Sequence, residues 1–190
     1  PLVTWPGASL SPILQEMLKY STNITAETVG LGASGARSLP DSAGAMQDWA
    51  QEALGLSASF VDHSGLGAAS RVTAKGMMRA LMAGATRPSG AGLRALLKEV
   101  SLKDEKGAPQ IDGPVKINAK SGTLNFVSGL SGFMTQPSGR ELVFAIFSAD
   151  PERREAVPVA EREKPPGQKA WTGRARVLQN GLLRRWATMA

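Results

Sequence analysis

Two short segments of the sequence carry side chains that could take part in acyl transfer. Ser21-Thr22-Asn23 follows a segment with helical spacing of apolar residues, and Lys120-Ser121-Gly122-Thr123 ends an alternating segment about 100 residues later. A serine hydroxyl is a poor nucleophile until a neighbouring group takes its proton, and a lysine amine with a lowered pKa can do so. Ser-x-Asn is also ordinary helix-capping chemistry, and Lys-Ser-Gly-Thr is also ordinary turn chemistry. Both interpretations remain open on these residues alone.

Other catalytic chemistries have few residues to support them. The sequence contains no cysteine and a single histidine, His63, which excludes disulfides, thiol catalysis and metal sites built from thiolates or several histidines. We expect neither a metal nor a cofactor. Asp62, His63 and Ser64 are adjacent, so their side chains point in different directions and cannot form a catalytic triad. We expect His63 to be structural and Asp62 to tie a turn.

Composition favours one globular domain. The 190 residues are 42% hydrophobic and 20% charged, and a domain of this size buries roughly 70% of the surface of its unfolded chain. No apolar run approaches the roughly 20 residues of a transmembrane helix, so we expect no transmembrane segment. The first ten residues also lack the basic and apolar pattern of a signal peptide.

The net charge of +6 is concentrated after residue 151, where nine Lys or Arg stand against four Glu. This basicity indicates either a solvated helix face or attraction to an anionic polymer or lipid surface. Two tryptophans, Trp171 and Trp186, are too few for the interleaved aromatic pattern of a stacking platform. We therefore expect no nucleic-acid partner.

Apolar residues at helical spacing predict five helices before residue 102. They lie in LSPILQEMLKYS, NITAETVGLG, PDSAGAMQDWAQEALG, VTAKGMMRALMAG and SGAGLRALLKEVS. Ser11 and Thr73 are predicted as N-caps and Gly55 as the residue that closes the third helix. The fourth helix is expected to bury a stripe of Met77, Met78, Leu81 and Met82.

After Pro114 the apolar period changes from helical to two, which predicts strands. Three antiparallel strands are expected in VKINAK, FVSGLSGFMTQ and ELVFAIFSA, followed by a proline-rich loop and a last helix. The apolar face of that helix is predicted to consist of Trp171, Val177, Leu178, Leu182, Leu183 and Trp186. This order predicts an α+β fold.

The sequence around the two segments resembles a known family. LSPILQEMLKYSTNITAE, VDHSGLGAASRVTAKGM and INAKSGTLNFVSGLSGFM resemble the D-alanyl-D-alanine carboxypeptidase/endopeptidase family, the class C low-molecular-mass penicillin-binding proteins. Ser-x-Asn and Lys-Ser/Thr-Gly are two of the three signatures of penicillin-recognising serine enzymes. The family shows Asp-Gly-Ser-Gly-Leu where this sequence has His63 in place of the first glycine. The resemblance implies a transpeptidase or serine β-lactamase-like fold, an antiparallel sheet with helices on both faces.

The third signature, Ser-x-x-Lys, supplies the nucleophile in that family and lies upstream of the other two. No Ser-x-x-Lys precedes Ser21, Ser70 has Lys75 five residues later, and Ser101 has Lys103 only two residues later. We therefore expect residues 1–190 to be the C-terminal part of one penicillin-binding domain. A second chain or segment bearing Ser-x-x-Lys is the expected partner.

The resemblance also implies roles for the site residues. Ser21 passes a proton to the leaving amine, Asn23 orients the site, and Lys120 supplies positive charge. Ser121, Gly122, Thr123 and Asn125 form the substrate-binding group, in which the hydroxyls hold a terminal carboxylate and Thr123 N–H donates to an oxyanion. A peptide ending in D-Ala-D-Ala is then laid along the strand as an added strand.

The resemblance implies an activity outside the cytoplasmic membrane, on peptidoglycan peptides, with β-lactams as inhibitors. The alternative enzyme is a serine β-lactamase, which shares all three signatures and also needs a deacylating carboxylate. The residues after Ser21 contain no Glu-x-x-x-Asn pattern that would supply one. The alternative of another class is a non-catalytic peptidoglycan-binding module.

Overall fold

The computed structural model describes residues 6–88, 92–104, 107–110 and 113–189. Its longer helices in the first half of the chain are α1 Leu10–Tyr20, α2 Asn23–Ser34, α3 Leu39–Leu54 and α4 Ala74–Thr86. The hydroxyl of Thr73 accepts from the N–H of Gly76 and Gly55 ends α3 with φ of 61°, as predicted. Ser11 is not a cap, because α1 begins one residue earlier and Ser9 occupies the N-cap position.

Several short elements connect α3 to the main sheet. The pair β1 Ala58–Ser59 and β2 Arg71–Val72 closes a loop before α4, and α5 Leu93–Leu96 leads into β3 Lys98–Glu99. The expected helix over SGAGLRALLKEVS is therefore a single turn followed by a strand, and its first three residues lie outside the described residues. Tertiary pairing overrides helical spacing here, since Lys98 and Glu99 pair with Ala119 and Asn118.

The main sheet is antiparallel with the order β3-β4-β5-β6. The three long strands are β4 Lys116–Leu124, β5 Val127–Thr135 and β6 Glu141–Ala149. They are the three strands expected from the sequence, and β3 adds a fourth, very short one. Their register places Lys120 opposite Ser131, and Ser131 opposite Ala145. In the described part of the chain β6 pairs only with β5, so one edge of β6 has no strand beside it.

Helices cover both faces of this sheet, which confirms the expected fold class. On one face α7, Gln168–Ala187, packs Leu183 and Ala187 against Ile117, Met134 and Phe144 in the main core. On the other face α4 packs against β5 and β6. A second small core of Ala50, Leu56 and Ala80 joins α3 to α4.

Two predicted apolar faces differ from those observed. In α7 the buried residues are Thr172, Ala175, Gln179, Leu183 and Ala187, whereas Val177 is 74% exposed and Leu178 is 53% exposed. The small buried residues allow α7 to approach the sheet closely. The Gln179 amide can be buried because it donates to the Ser128 hydroxyl at 3.1 Å. In α4 only Ala80 is fully buried and Met82 is exposed. The proline-rich segment expected as loop contains a short helix, α6 Pro151–Glu155, and one 3₁₀ turn, Val159–Glu161.

Candidate active site

Ser21 lies at the junction of α1 and α2 in an uncommon backbone conformation. It is the C-terminal cap of α1 with φ of 56° and ψ of 49°, and its N–H donates to the carbonyl of Met17. A non-glycine residue in the left-handed region costs of order 1–3 kcal/mol, and such residues concentrate at functional sites. The conformation ends α1 abruptly, so that Asn23 begins α2 only two residues later. Ser21 and Asn23 are both exposed at this junction.

Lys120 joins this junction to the sheet. Its Nζ donates to Ser21 Oγ at 2.5 Å and also to the carbonyl of Ser121. Burial lowers the pKa of the Lys120 ammonium from its usual value, because desolvation disfavours the charged form. The fold therefore brings together two segments separated by 99 residues. A hydroxyl in contact with an ammonium of lowered pKa can exchange a proton with a third group placed beside it.

The backbone of β4 beyond Ala119 faces an open edge. Val100 N–H donates to Ile117 C=O at 2.9 Å, so Ile117 directs its backbone groups toward the β3 side. The register of β4 with β5 is unbroken, and the same direction therefore recurs at Ser121 and Thr123. Among the described residues β3 pairs no further along β4 than Ala119. Within the described ranges no strand pairs with the N–H and C=O groups of Thr123 on this side, so an added strand could bind there.

The side chains of this edge lie on different faces of β4. Ile117 and Ala119 belong to the core under α7, so alternation places Ser121 and Thr123 on that face and Lys120 on the opposite one. Both hydroxyl-bearing residues are exposed. A carboxylate could contact the hydroxyls and the ammonium together only at the free edge. On the Lys120 face a Cβ at Gly122 would meet no atom within 4 Å, so there is room for a ligand to approach the strand closely.

Asn125 lies in the turn between β4 and β5, and its side chain has a partner within the chain. Its side-chain Nδ2 donates to the backbone carbonyl of Arg162 at 2.6 Å, and the backbone carbonyl of Asn125 accepts from Arg154 Nη1 at 3.1 Å. These contacts hold the segment after β6 against the end of β4. The assignment of Asn125 to substrate binding stays a prediction.

The Asp62-His63-Ser64 segment has structural contacts, and its geometry is not that of a triad. Asp62 accepts from Gly67 N–H at 2.7 Å and from the hydroxyls of Ser64 and Ser70. Burial raises the pKa of the Asp62 carboxyl, but these hydrogen bonds outweigh burial and lower it overall. His63 instead contacts Ser42 through Nε2 at 2.7 Å. The structural roles predicted for Asp62 and His63 agree with these contacts.

One residue that the sequence did not single out as part of the site is Glu27, one turn after Asn23. Its two carboxylate oxygens accept from the backbone N–H groups of His63 and Ser64 at 3.2 and 3.0 Å. The spacing of four from Asn23 is the only feature in the sequence that could have indicated it. Among the described residues no cluster of three His, Asp or Glu is arranged to hold a metal ion, and no described helix is long and apolar enough to cross a membrane.

Similarity to known proteins supplies independent evidence on the family of this chain. Residues 1–164 match the model of the D-Ala-D-Ala carboxypeptidase 3 (S13) family. Carboxypeptidase Rv3627c of Mycobacterium tuberculosis is 32% identical over 168 residues, which cover 80% of this chain and 36% of that protein. The chain therefore spans about a third of the length of the curated relative that it matches.

Solved structures show the same fold at low identity. Penicillin binding protein 4 (dacB) of Haemophilus influenzae matches with a TM-score of 0.62 and 21% identity, over 90% of this chain and 39% of that one. The same protein was also solved in complex with a β-lactam. A class A β-lactamase representative from Bacteroides cellulosilyticus matches with a TM-score of 0.58 and 18% identity, over 74% of this chain and 55% of that one.

Proposed function

The chain belongs to the D-Ala-D-Ala carboxypeptidase 3 (S13) family, and from this premise we propose that it forms part of a serine-type D-Ala-D-Ala carboxypeptidase/endopeptidase. The reaction proceeds through an acyl-enzyme on peptidoglycan peptides outside the cytoplasmic membrane. The observation that carries the proposal is the contact of Lys120 Nζ with Ser21 Oγ at 2.5 Å. It joins a Ser-x-Asn segment to a Lys-Ser-Gly segment in one site.

The nucleophile of this reaction comes from a segment bearing Ser-x-x-Lys that these 190 residues do not contain. The chain by itself is then inactive and corresponds to the C-terminal part of one penicillin-binding domain. Among the described residues no strand pairs with the outer edge of β6, and this supports the proposal, because an edge strand presents free backbone donors and acceptors. Phe147 on this strand is 39% exposed. We place the nucleophile-bearing segment or chain against this edge and α7.

In the assembled site Lys120 and Ser21 assist the proton transfers that accompany cleavage of the peptide bond. Positive charge at Lys120 lowers the pKa of the amine that activates the nucleophile. The amine of the Ser-x-x-Lys motif takes the hydroxyl proton of the nucleophile as its oxygen forms a bond to the carbonyl carbon of the penultimate D-Ala. The C–N bond to the last D-Ala then breaks, and the departing nitrogen takes a proton from the Ser21 hydroxyl. Ser21 regains a proton from the neighbouring amine of the Ser-x-x-Lys motif. Asn23 holds the substrate amide beside this path.

The substrate lies along the open edge of β4. The N–H of Thr123 serves as an oxyanion donor, and the hydroxyls of Ser121 and Thr123 hold the terminal carboxylate. The pairing of β3, which occupies the edge as far as Ala119, supports one direction for the peptide. Its body must run beside Thr123 and its carboxylate end beside Lys120. β-Lactams, which present an acyl group and a carboxylate, are expected to occupy the same edge and acylate the nucleophile.

A serine β-lactamase is the second candidate, since the class A enzyme shares the fold. It requires a carboxylate free to activate a deacylating water. Glu27 is the first carboxylate after Asn23 in the sequence, and both of its oxygens are already bonded to backbone N–H groups. These contacts argue against Glu27 as that carboxylate, and the carboxypeptidase stays the first candidate because the family match supports it.

Covalent labelling with a fluorescent penicillin tests the proposal in the full-length protein. We expect stable labelling of the wild type and strongly reduced labelling of Ser21→Ala. Ser11→Ala, an exposed change on the same helix, is the matched control and should label normally. Rapid turnover of the label would indicate a lactamase. No labelling of a folded wild type would indicate a non-catalytic peptidoglycan-binding module.

A further inference from the structure

One face of α2 contacts the 62–64 segment and α3. Asn23, Glu27, Gly30 and Ser34 are spaced at intervals of four, three and four residues, so they share a face of the helix. Asn23 stands at the end that meets Ser21. The other three contact the 62–64 segment or Ser42 of α3. The position of Asn23 is thus linked to that region through its own helix.

Glu27 forms the first part of this link. Its two oxygens each accept one backbone N–H, from His63 at 3.2 Å and from Ser64 at 3.0 Å. Burial raises the pKa of the Glu27 carboxyl, but the hydrogen bonds from Ser64 and His63 outweigh burial and lower it overall. The carboxylate is therefore ionised near neutral pH, and hydrogen bonds to a charged acceptor are stronger than neutral ones.

The ring of His63 forms the second part. A Cβ at Gly30 would lie 2.3 Å from its Cγ and Cδ2 atoms, so the ring rests directly on the helix backbone where glycine leaves space. The ring Nε2 bonds to the hydroxyl of Ser42 at 2.7 Å, and Ser42 bonds to Ser34 at 2.8 Å. Ser42 is fully buried. We call Glu27, Ser34, Ser42, His63 and Ser64 the Glu27–His63 network.

None of the twelve residues of α2, all of them described, has a side chain that is fully buried in the apolar core. The same holds for the eleven residues of α1. The side chains of the two helices that meet at Ser21 are at most partly buried, so the hydrogen bonds of this network contribute to fixing the angle of α2.

We propose that Glu27 and His63 are positioning residues that fix α2 so that Asn23 is presented beside the Ser21–Lys120 pair. This inference rests on the proposed function, because it assigns Asn23 to the reacting site. The His63 ring fills the space above Gly30 and couples α2 to α3.

A double-mutant cycle on the acylation rate of the full-length protein tests the inference. A 1 Å misplacement of a site residue can cost on the order of 100-fold in rate, so we expect Glu27→Ala to slow penicillin acylation about 10-fold to 100-fold. If Glu27 acts through Asn23, the double variant with Asn23→Ala should be no slower than Asn23→Ala alone, to within about 2-fold, because coupled residues are non-additive. Glu52→Gln, an exposed change on α3, is the control and should not alter the rate.

The two glycines of α2 provide a second, internally matched test. Gly30→Ala forces a Cβ into the His63 ring, whereas Gly32→Ala meets nothing within 4 Å. We expect Gly30→Ala to slow acylation about 10-fold or more and Gly32→Ala to leave it unchanged. In a His63→Ala background, Gly30→Ala should cause no further loss. A Gly30→Ala loss that requires the His63 ring separates a positional effect of the ring from a general loss of stability.

The outcomes distinguish a failure of the positioning role from a failure of the proposed function. A labelled wild type with additive losses from Glu27→Ala and Asn23→Ala, or with a harmless Gly30→Ala, overturns the positioning role and leaves the proposed function intact. A folded wild type that is not labelled overturns the proposed function, and the positioning role with it. Melting temperatures of all variants identify any that fail to fold. If Glu27→Ala is among them, the comparison of Gly30→Ala with Gly32→Ala tests the positioning role instead.

Discussion

Replacing Lys120 with methionine should separate catalysis from stability at this site. Methionine keeps most of the side-chain length and removes the ammonium that donates to Ser21 at 2.5 Å. A hydrogen bond involving a charged group contributes roughly 1.5–3 kcal/mol. At about 1.36 kcal/mol per tenfold change in rate, this one contact corresponds to about a 10-fold to 150-fold loss. The lost effect of its charge on the activating amine adds to this, so we expect a loss of at least 100-fold.

The assay is the rate of covalent labelling by a fluorescent penicillin in the full-length protein. Lys116→Met is the matched control, because Lys116 lies on the same strand and is exposed. It should label at the wild-type rate. A normal rate for Lys120→Met, or an equal loss in both variants, would refute the assignment of Lys120.

The lowered pKa of Lys120 adds a pH dependence with a definite sign. An ordinary lysine titrates near about 10.4, and burial places the Lys120 pKa below its usual value in the folded protein. Labelling that needs the charged form should therefore decline at a pH below the ordinary lysine range, and this alkaline decline should be absent in Lys120→Met. Between the folded and unfolded pKa values the unfolded chain binds more protons, so stability rises with pH there. At neutral pH the cost of the buried charge is fully present, and Lys120→Met should melt no lower than wild type.

Three further predictions concern the substrate edge, the core and the free edge of the sheet. Ser121→Val with Thr123→Val should weaken peptides that end in a free carboxylate far more than amidated ones, by about 10-fold or more at roughly 1.5–3 kcal/mol per charged hydrogen bond; equal losses in kcat/KM on both would argue against carboxylate recognition. Phe126 is 1% exposed and packs edge-on against Trp171 with centroids 6.1 Å apart, so Phe126→Ala should lower the free energy of unfolding by about 3–5 kcal/mol in denaturant titrations, and a change under about 1 kcal/mol would contradict this packing. The 190 residues expressed alone should aggregate or self-associate through β6 in sedimentation experiments; a soluble monomer with a sharp cooperative melt would contradict the proposed partner segment.

Features that depend on local chemistry could be predicted from the sequence. The period of two after Pro114 predicted the three long strands, since alternation of side chains is a property of the extended backbone itself. The hydroxyl of Thr73 and the permissive backbone of Gly55 likewise act within one turn of their helix. Ser21 and Lys120 could be selected by their types and positions, and the family resemblance gave them roles that remain to be measured.

Features that depend on distant partners could not be predicted. β3 lies in a segment with helical spacing, and only its pairing with β4 makes it a strand. The face of α7 was misassigned because Val177 and Leu178 are apolar, whereas the sheet accepts small residues and the Gln179 amide, which has the Ser128 hydroxyl as a partner. Burial of a polar group depends on whether such a partner exists, and the sequence of one helix does not contain that information.

The sequence by itself determined which chemistry is possible here. It contains hydroxyls, an amide and a lysine at the ends of regular elements, no thiol and one histidine. Only the tertiary structure decided which of these groups meet. The contact of Lys120 with Ser21 spans 99 residues, and the contacts of Glu27 with His63 and Ser64 span 36 and 37. Contacts of this length depend on how helices and sheet pack together, because no local propensity acts over more than a few residues.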